Sequence, residues 1–350
     1  MSNRQKSSLY WWLLILILLA GCAQKGMASE TPIVAFTATP IGGVVTPTIM
    51  ESTAVVPTLP EPTISVPTDT IPKECKKVAF SEYDGVNYDI YTVCPDGSQL
   101  VNLTNDPADD VNPAWSPDGT QIAFSSSRSD HFQLYLMSAD GKTLSPLTSD
   151  YENQFPVWLP DGKHIAFRTD DGKGLFWWRV MDLESLEVTT LSEPSYDFFY
   201  QTPAWSPDGK RIAYMSLVEQ QERNDGSAQL HVRNVDGTND IALTNDVWAN
   251  VNPKWSPDGS KIAFLSERSG TYEMFALYMM NEDGTDVQKL TETAYPADAV
   301  YSWSPDGKQI VISSNNTFNG IYIIDIDSKT SLPLMDWTIP ANVYWPSWQP

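Results

Sequence analysis

Few residue types in this chain are equipped for bond-making chemistry. Among 350 residues there are three histidines, His131, His164 and His231, and three cysteines, Cys22, Cys75 and Cys94. The templates for serine-nucleophile hydrolysis (G-x-S-x-G), zinc peptidase chemistry (H-E-x-x-H), phosphate cradling by a glycine-rich loop and paired C-x-x-C sites are all missing. His164 opens one predicted strand and His231 lies within another, positions that suit a solvated or packed ring better than a metal ligand. Asp106, Asp109 and Asp110 fall close together, and Asn281 to Asp286 loosely follows a calcium loop, yet neither has the full D-x-[DN]-x-[DN]-G-x5-E spacing. The expectation is therefore no catalytic residue, no metal and no cofactor.

Recognition is the other chemistry on offer. Tyr151, Tyr196, Phe198, Phe199, Tyr200, Trp248, Tyr295 and Trp337 stand in connecting segments, among Asp106, Asp110, Asp150, Asp197, Asp246 and Asp298. Aromatic rings beside carboxylates can stack on sugars or hold a cationic peptide, and exposed aromatics are common interface anchors. The alternative is that these rings fill seams between structural units. The partner is not a nucleic acid: 22 basic against 44 acidic residues give a net charge of -22, with no basic stripe to overcome the repulsion of phosphates.

Residues 1–21 read as a targeting segment. Arg4 and Lys6 precede the apolar run Leu9 to Leu19, which closes on Leu19-Ala20-Gly21-Cys22. That ending resembles the bacterial lipobox, which implies lipidation of Cys22 and an extracytoplasmic protein anchored to the cell membrane, on its outer face or in a periplasm. The competing reading, a spanning helix, meets a run from Leu9 to Ala20 that is too short for the ~20 residues a bilayer requires. From Ala23 to Pro72, 8 prolines and 10 threonines fall in 50 residues without any hydrophobic period. With Cys22 at its head, residues 22–72 are expected to form a disordered tether of partly polyproline II character, reaching between ~40 Å and ~150 Å.

Residues 73–350 repeat themselves. One unit runs Asn112-Pro113-Ala114-Trp115-Ser116-Pro117-Asp118-Gly119, then Gln121-Ile122-Ala123-Phe124, Leu134-Tyr135-Leu136-Met137, Asp140-Gly141 and Pro146-Leu147-Thr148. Its tryptophan recurs at Trp158, Trp205, Trp255 and Trp303, at spacings of 43, 47, 50 and 48 residues. That period, with four short strands per unit, describes a propeller blade. Pro-Asp-Gly sets a tight turn between the first two strands, a and b, and Asp-Gly a second between strands c and d. Strand b is apolar on successive residues because a neighbouring blade covers each of its faces, so the tryptophans read as inter-blade core.

The repeat resembles that of the TolB-like β-propellers, a resemblance covering essentially all of residues 73–350. It implies an all-β fold of six four-stranded blades. Leu159 in place of serine, Asp182-Leu183-Glu184 and Asp325-Ile326-Asp327 depart from the pattern only at turns. The first blade, starting at Val78-Ala79-Phe80, has no Trp-Ser-Pro-Asp-Gly before it; Tyr344 to Pro350, with Trp348, matches that missing strand. The C-terminal strand is thus expected to close the ring.

Two further expectations follow from position. In the first blade, strands b and c turn near Asp84 to Val86, so paired residue numbers sum to roughly 169–171; Cys75 and Cys94 then face each other and, outside the cytoplasm, form a disulfide. The d-to-a and b-to-c connections share one face, where the aromatic and acidic residues gather. The expected function is that of a monomeric, non-catalytic scaffold lipoprotein binding a protein, peptide or glycan on that face. The alternative is an extracytoplasmic enzyme acting on carbohydrate or peptide at the channel mouth.

Overall fold

A computed structural model describes residues 75–192, 202–218, 227–269, 274–293, 295–296, 299–314, 320–335 and 343–350. The first repeat forms β1 (Val78–Tyr83), β2 (Tyr88–Val93) and β3 (Val101–Asn102). The second forms β4 (Asp110–Trp115), β5 (Gln121–Ser126), β6 (Gln133–Ser138) and β7 (Leu144–Pro146). The third holds β8 (Glu152–Trp158), β9 (His164–Asp170), β10 (Phe176–Asp182) and β11 (Val188–Thr190), and the fourth β12 (Ala204–Trp205), β13 (Arg211–Val218), β14 (Ser227–Asn234) and β15 (Ile241–Ala242). The fifth is β16 (Asn250–Trp255), β17 (Lys261–Ser266), β18 (Ala276–Asn281) and β19 (Gln288–Lys289). The sixth is β20 (Tyr301–Trp303), β21 (Gln309–Ser314), β22 (Gly320–Asp325) and β23 (Ser331–Pro333), after which β24 (Val343–Trp348) returns to the first blade. Each blade is a four-stranded antiparallel sheet, the first in the order β24-β1-β2-β3. The pairs Val78↔Trp348 and Glu82↔Val343 close a six-bladed propeller, so the inner edge of β1 is paired instead of open.

Local chemistry explains the strand boundaries. In the a-to-b turn, Ser116 Oγ donates to Asp118 Oδ1 at 2.6 Å and the Thr120 amide donates to the same oxygen at 3.0 Å, while Gly119 takes φ +71°. These bonds hold the Asp118 carboxyl below the usual carboxylate range, the Ser116 bond foremost. Ser206, Ser256 and Ser304 repeat the arrangement with Asp208, Asp258 and Asp306. In the third blade Leu159 cannot donate. There His164 places Nδ1 2.7 Å from Asp161 and Nε2 3.2 Å from Asp182, joining both turns of the blade. The Leu-Thr ending of the repeat also has a function: the hydroxyls of Thr104, Thr148, Thr244 and Thr291 accept from the amides of Ile90, Leu134, Leu230 and Leu277 in strand c.

The core lies in the seams. Strand b alternates in direction: Ile122 and Phe124 pack with Ala79 and Ile90 of the preceding blade around Trp115, whereas Ala123 faces Trp158, Ile165 and Phe167 of the following one. The small alanine leaves room for the neighbour's indole. The closing seam joins Val311, Ile321 and Leu334 of the sixth blade to Val78, Phe80 and Trp348 of the first. Trp158, Trp255 and Trp303 also donate Nε1–H to the carbonyls of Ala114, Ala204 and Lys254 in the preceding blade, at 3.0, 3.1 and 3.2 Å. In the first blade β1 and β2 pair from Val78↔Val93 to Tyr83↔Tyr88, a constant register just beyond which Cys75 and Cys94 form a disulfide with Cα atoms 5.8 Å apart.

Candidate functional site

The strand directions place the d-to-a and b-to-c connections on one face and the Pro-Asp-Gly turns on the other. Two connections on the first face present an aromatic side chain from an anchored backbone. Tyr151 is 55% exposed, and its carbonyl accepts from Gln133 Nε2 at 2.6 Å. Gln133 is buried and also accepts from Thr148 Oγ1 at 2.6 Å and Asn153 Nδ2 at 3.1 Å. Before the fifth blade the same device recurs: Trp248 is 38% exposed, and its carbonyl accepts from Gln229 Nε2 and Asn250 Nδ2, both at 3.0 Å. Asp89 does the same work in the first blade, accepting from Asn102, Thr104 and the Asp106 amide. A buried polar side chain at or near the start of strand c thus fixes the connection that follows its blade.

Around Tyr151 the surface is built out. Its ring meets Trp177 edge-on at 5.5 Å, the Arg179 guanidinium lies 5.9 Å from its centroid, and Arg179 pairs with Asp150 at 3.0 Å. Trp177 and Arg179 were not among the expected site residues; their alternate positions in Phe176-Trp177-Trp178-Arg179 put both on one face of β10, a signal available in the sequence. Asp246 beside Trp248 is ion-paired with Arg268 and accepts from the Trp248 amide at 3.0 Å.

Two expected site residues belong to the interior. Tyr295 is 1% exposed and pairs through its backbone with Phe275, so its ring joins the seam between the fifth and sixth blades. Asp110 is fully buried, with both carboxylate oxygens taken by Arg128 Nη2 at 2.9 and 2.8 Å. Burial pushes its carboxyl up, against the opposing bonds from Ser126 and Arg128. A connection tucked into a seam, as at Tyr295, has the same composition as one that is not, and Asp110 opens β4, where its carboxylate meets Arg128. Cys22, Tyr196, Phe198, Phe199, Tyr200, Asp298 and Trp337 lie outside the described residues. His231 lies 3.1 Å from Asp240, and among the described residues no group of three His, Cys, Asp or Glu side chains is placed to hold a metal.

A second feature runs along the axis. The inner strands enclose a channel cavity of about 620 Å³, walled by Trp115, Trp158, Trp255, Trp303 and Trp348 and by prolines that include Pro117, Pro257 and Pro305 of the Pro-Asp-Gly turns. Neither Tyr151 nor Trp248 lines it. Asn112, Phe155, Asn252 and Trp345 all have φ between +53° and +57°, each immediately before a proline, at or beside a register shift in an inner strand. These bulges bend the inner strands along the channel wall. In the position just before each tryptophan stand Ala114, Val157, Ala204, Lys254, Ser302 and Ser347. Lys254 is the single charged residue of that ring, and burial draws its ammonium down to about 8.

A family model described as the TolB beta propeller domain matches residues 71–221 and 198–350. The chain belongs to this TolB β-propeller family. Among solved structures it is similar to TolB from Acinetobacter baumannii, with 23% identity and a TM-score of 0.66 over 79% of this chain and 67% of that one. It is also similar to hydrazine synthase of Kuenenia stuttgartiensis, at 16% identity and TM-score 0.61 over 79% of this chain and 46% of that one. A chain of a nidogen/laminin complex matches at 12% identity and TM-score 0.57, over 78% of this chain and 98% of its own. No curated protein matches. Family members and an enzyme share the architecture, so the fold does not select the activity.

Proposed function

We propose that the chain is a non-catalytic scaffold of the bacterial cell envelope, held to the membrane through a lipid on Cys22 and binding a protein, peptide or glycan on the face carrying its d-to-a connections. One observation carries the reading: Tyr151 and Trp248 expose their rings from backbones fixed by the buried Gln133 and Gln229. A pre-positioned ring loses little freedom on binding, which is what an interface anchor requires. The neighbouring carboxylates of Asp150 and Asp246 are offset by Arg179 and Arg268, so the rings, more than net charge, supply the contact.

The test is the pair Tyr151→Ala and Trp248→Ala in the full chain. Capture of the partner from solubilised envelope should fall at least about tenfold, which is ~1.4 kcal/mol, while the melting temperature stays within a few degrees. Undiminished capture would remove these rings from the interface. Loss of folding would assign them to the packing of the propeller.

A further inference from the structure

A cation without a partner among the described residues stands in the channel. Lys254 sits in β16 immediately before Trp255, in a ring whose other members are alanine, valine or serine. It lines the cavity, retains some contact with the water-sized space of the bore, and makes no ion pair or side-chain hydrogen bond among the described residues. Among the described residues no aspartate or glutamate lines the cavity. Among the described residues the other titratable side chain there is Tyr301, whose hydroxyl donates to the Asn252 carbonyl and which burial keeps neutral. In the opposite blade the lining residue Asn112 holds a buried amide nitrogen without an acceptor, whereas its counterpart Asn252 donates to the Ala299 carbonyl at 2.9 Å.

A desolvated lysine without a counter-ion weakens a fold, and local rules of this kind are broken at functional sites. The wall therefore offers a positive charge to something the structure does not contain. We propose that the channel binds the carboxylate of an extended, largely apolar peptide segment, with Lys254 as its counter-ion. The carrier follows from two facts. A net charge of -22 repels a free small anion or a polyanionic sugar, so affinity must come from the part that bears the carboxylate. Indoles and prolines dominate the wall, which suits apolar side chains and leaves a sugar's hydroxyls unpaired. The cavity volume falls in the usual range for ligand sites and holds a few residues. This site is separate from the exposed aromatic face, so either can fail alone.

The probe is N-acetyl-Ala-Leu-Phe with a free C-terminal carboxylate, against its C-terminal amide and against glucuronate, titrated calorimetrically into the full chain. The acid peptide should bind at least about tenfold more tightly than the amide. Lys254→Met should reduce the acid to the level of the amide without lowering the melting temperature, and Lys254→Gln should do the same. Binding of the acid should weaken as pH rises through about 8, where the free lysine loses its proton, and this slope should vanish in Lys254→Met. Equal affinity for acid and amide, no binding of the acid into the millimolar range, or affinity unchanged in both variants would overturn the proposal. Glucuronate binding without peptide binding would overturn the peptide as the source of the carboxylate. Envelope capture that depends on Tyr151 and Trp248 but not on Lys254 would leave the exposed face standing while this proposal fell.

Discussion

Asp110 and Arg128 show how residue identity and residue role separate. Aspartate in an acidic, aromatic-rich connection suggested a surface group; the structure buries it and gives both oxygens to one guanidinium. Removing one member of such a pair leaves the other without compensation. Arg128→Ala should therefore cost about 3–5 kcal/mol at pH 7, measured by denaturant unfolding. The sign with pH follows from the raised carboxyl: its charged form is the disfavoured one in the fold, so the penalty is complete above the folded-state value and vanishes once the group is neutral in both states. The variant's deficit should shrink as pH falls through the raised folded-state value and be gone below pH ~4. A deficit independent of pH would mean that Arg128 acts through its stacking on Phe124 and Tyr135 instead. The tryptophans, by contrast, were legible one by one, because an indole at a fixed place in a repeat must meet the same neighbour in every blade.

At the level of the element, the decisive strand is β24. It carries Trp348 into the closing seam, covers the inner edge of β1, and accepts the Trp115 amide on Ser347 Oγ at 3.2 Å. Deleting residues 343–350 should unfold or aggregate the protein, since it opens a strand edge and empties a seam at once. A soluble, monodisperse truncation with unchanged melting temperature would contradict this. The hairpin of β1 and β2 was readable to within two residues: its partners sum to 171 throughout, for example 78 with 93, inside the range of roughly 169–171 expected from the position of the turn. The connection bearing Tyr295 was not, because nothing local to a loop says whether the adjacent strands draw it inward.

For the whole molecule, anchoring remains the sequence's own proposal, since Cys22 lies outside the described residues, and among those residues no helix is long and apolar enough to cross a membrane. Cys22→Ser should release the protein into the medium or leave an unprocessed precursor, and metabolic labelling with a radioactive fatty acid should disappear from it. Persistent labelling would refute lipidation. The chain's acidity acts at this scale too: a net charge of -22 repels phosphate backbones and requires that any anionic ligand bring compensating contacts.

Blade number, turn chemistry, ring closure and the facing of Cys75 and Cys94 were determined by sequence alone, because each is written in short-range order and repeated or bounded by it. Tertiary structure decided which aromatics face solvent, that Asp110 is an internal ion pair, and that Lys254 stands in the bore without a partner among the described residues. Those outcomes depend on residues far apart in the chain meeting around a closed ring. The burial of a charge, and hence its cost and its use, is a property of that meeting and not of the residue.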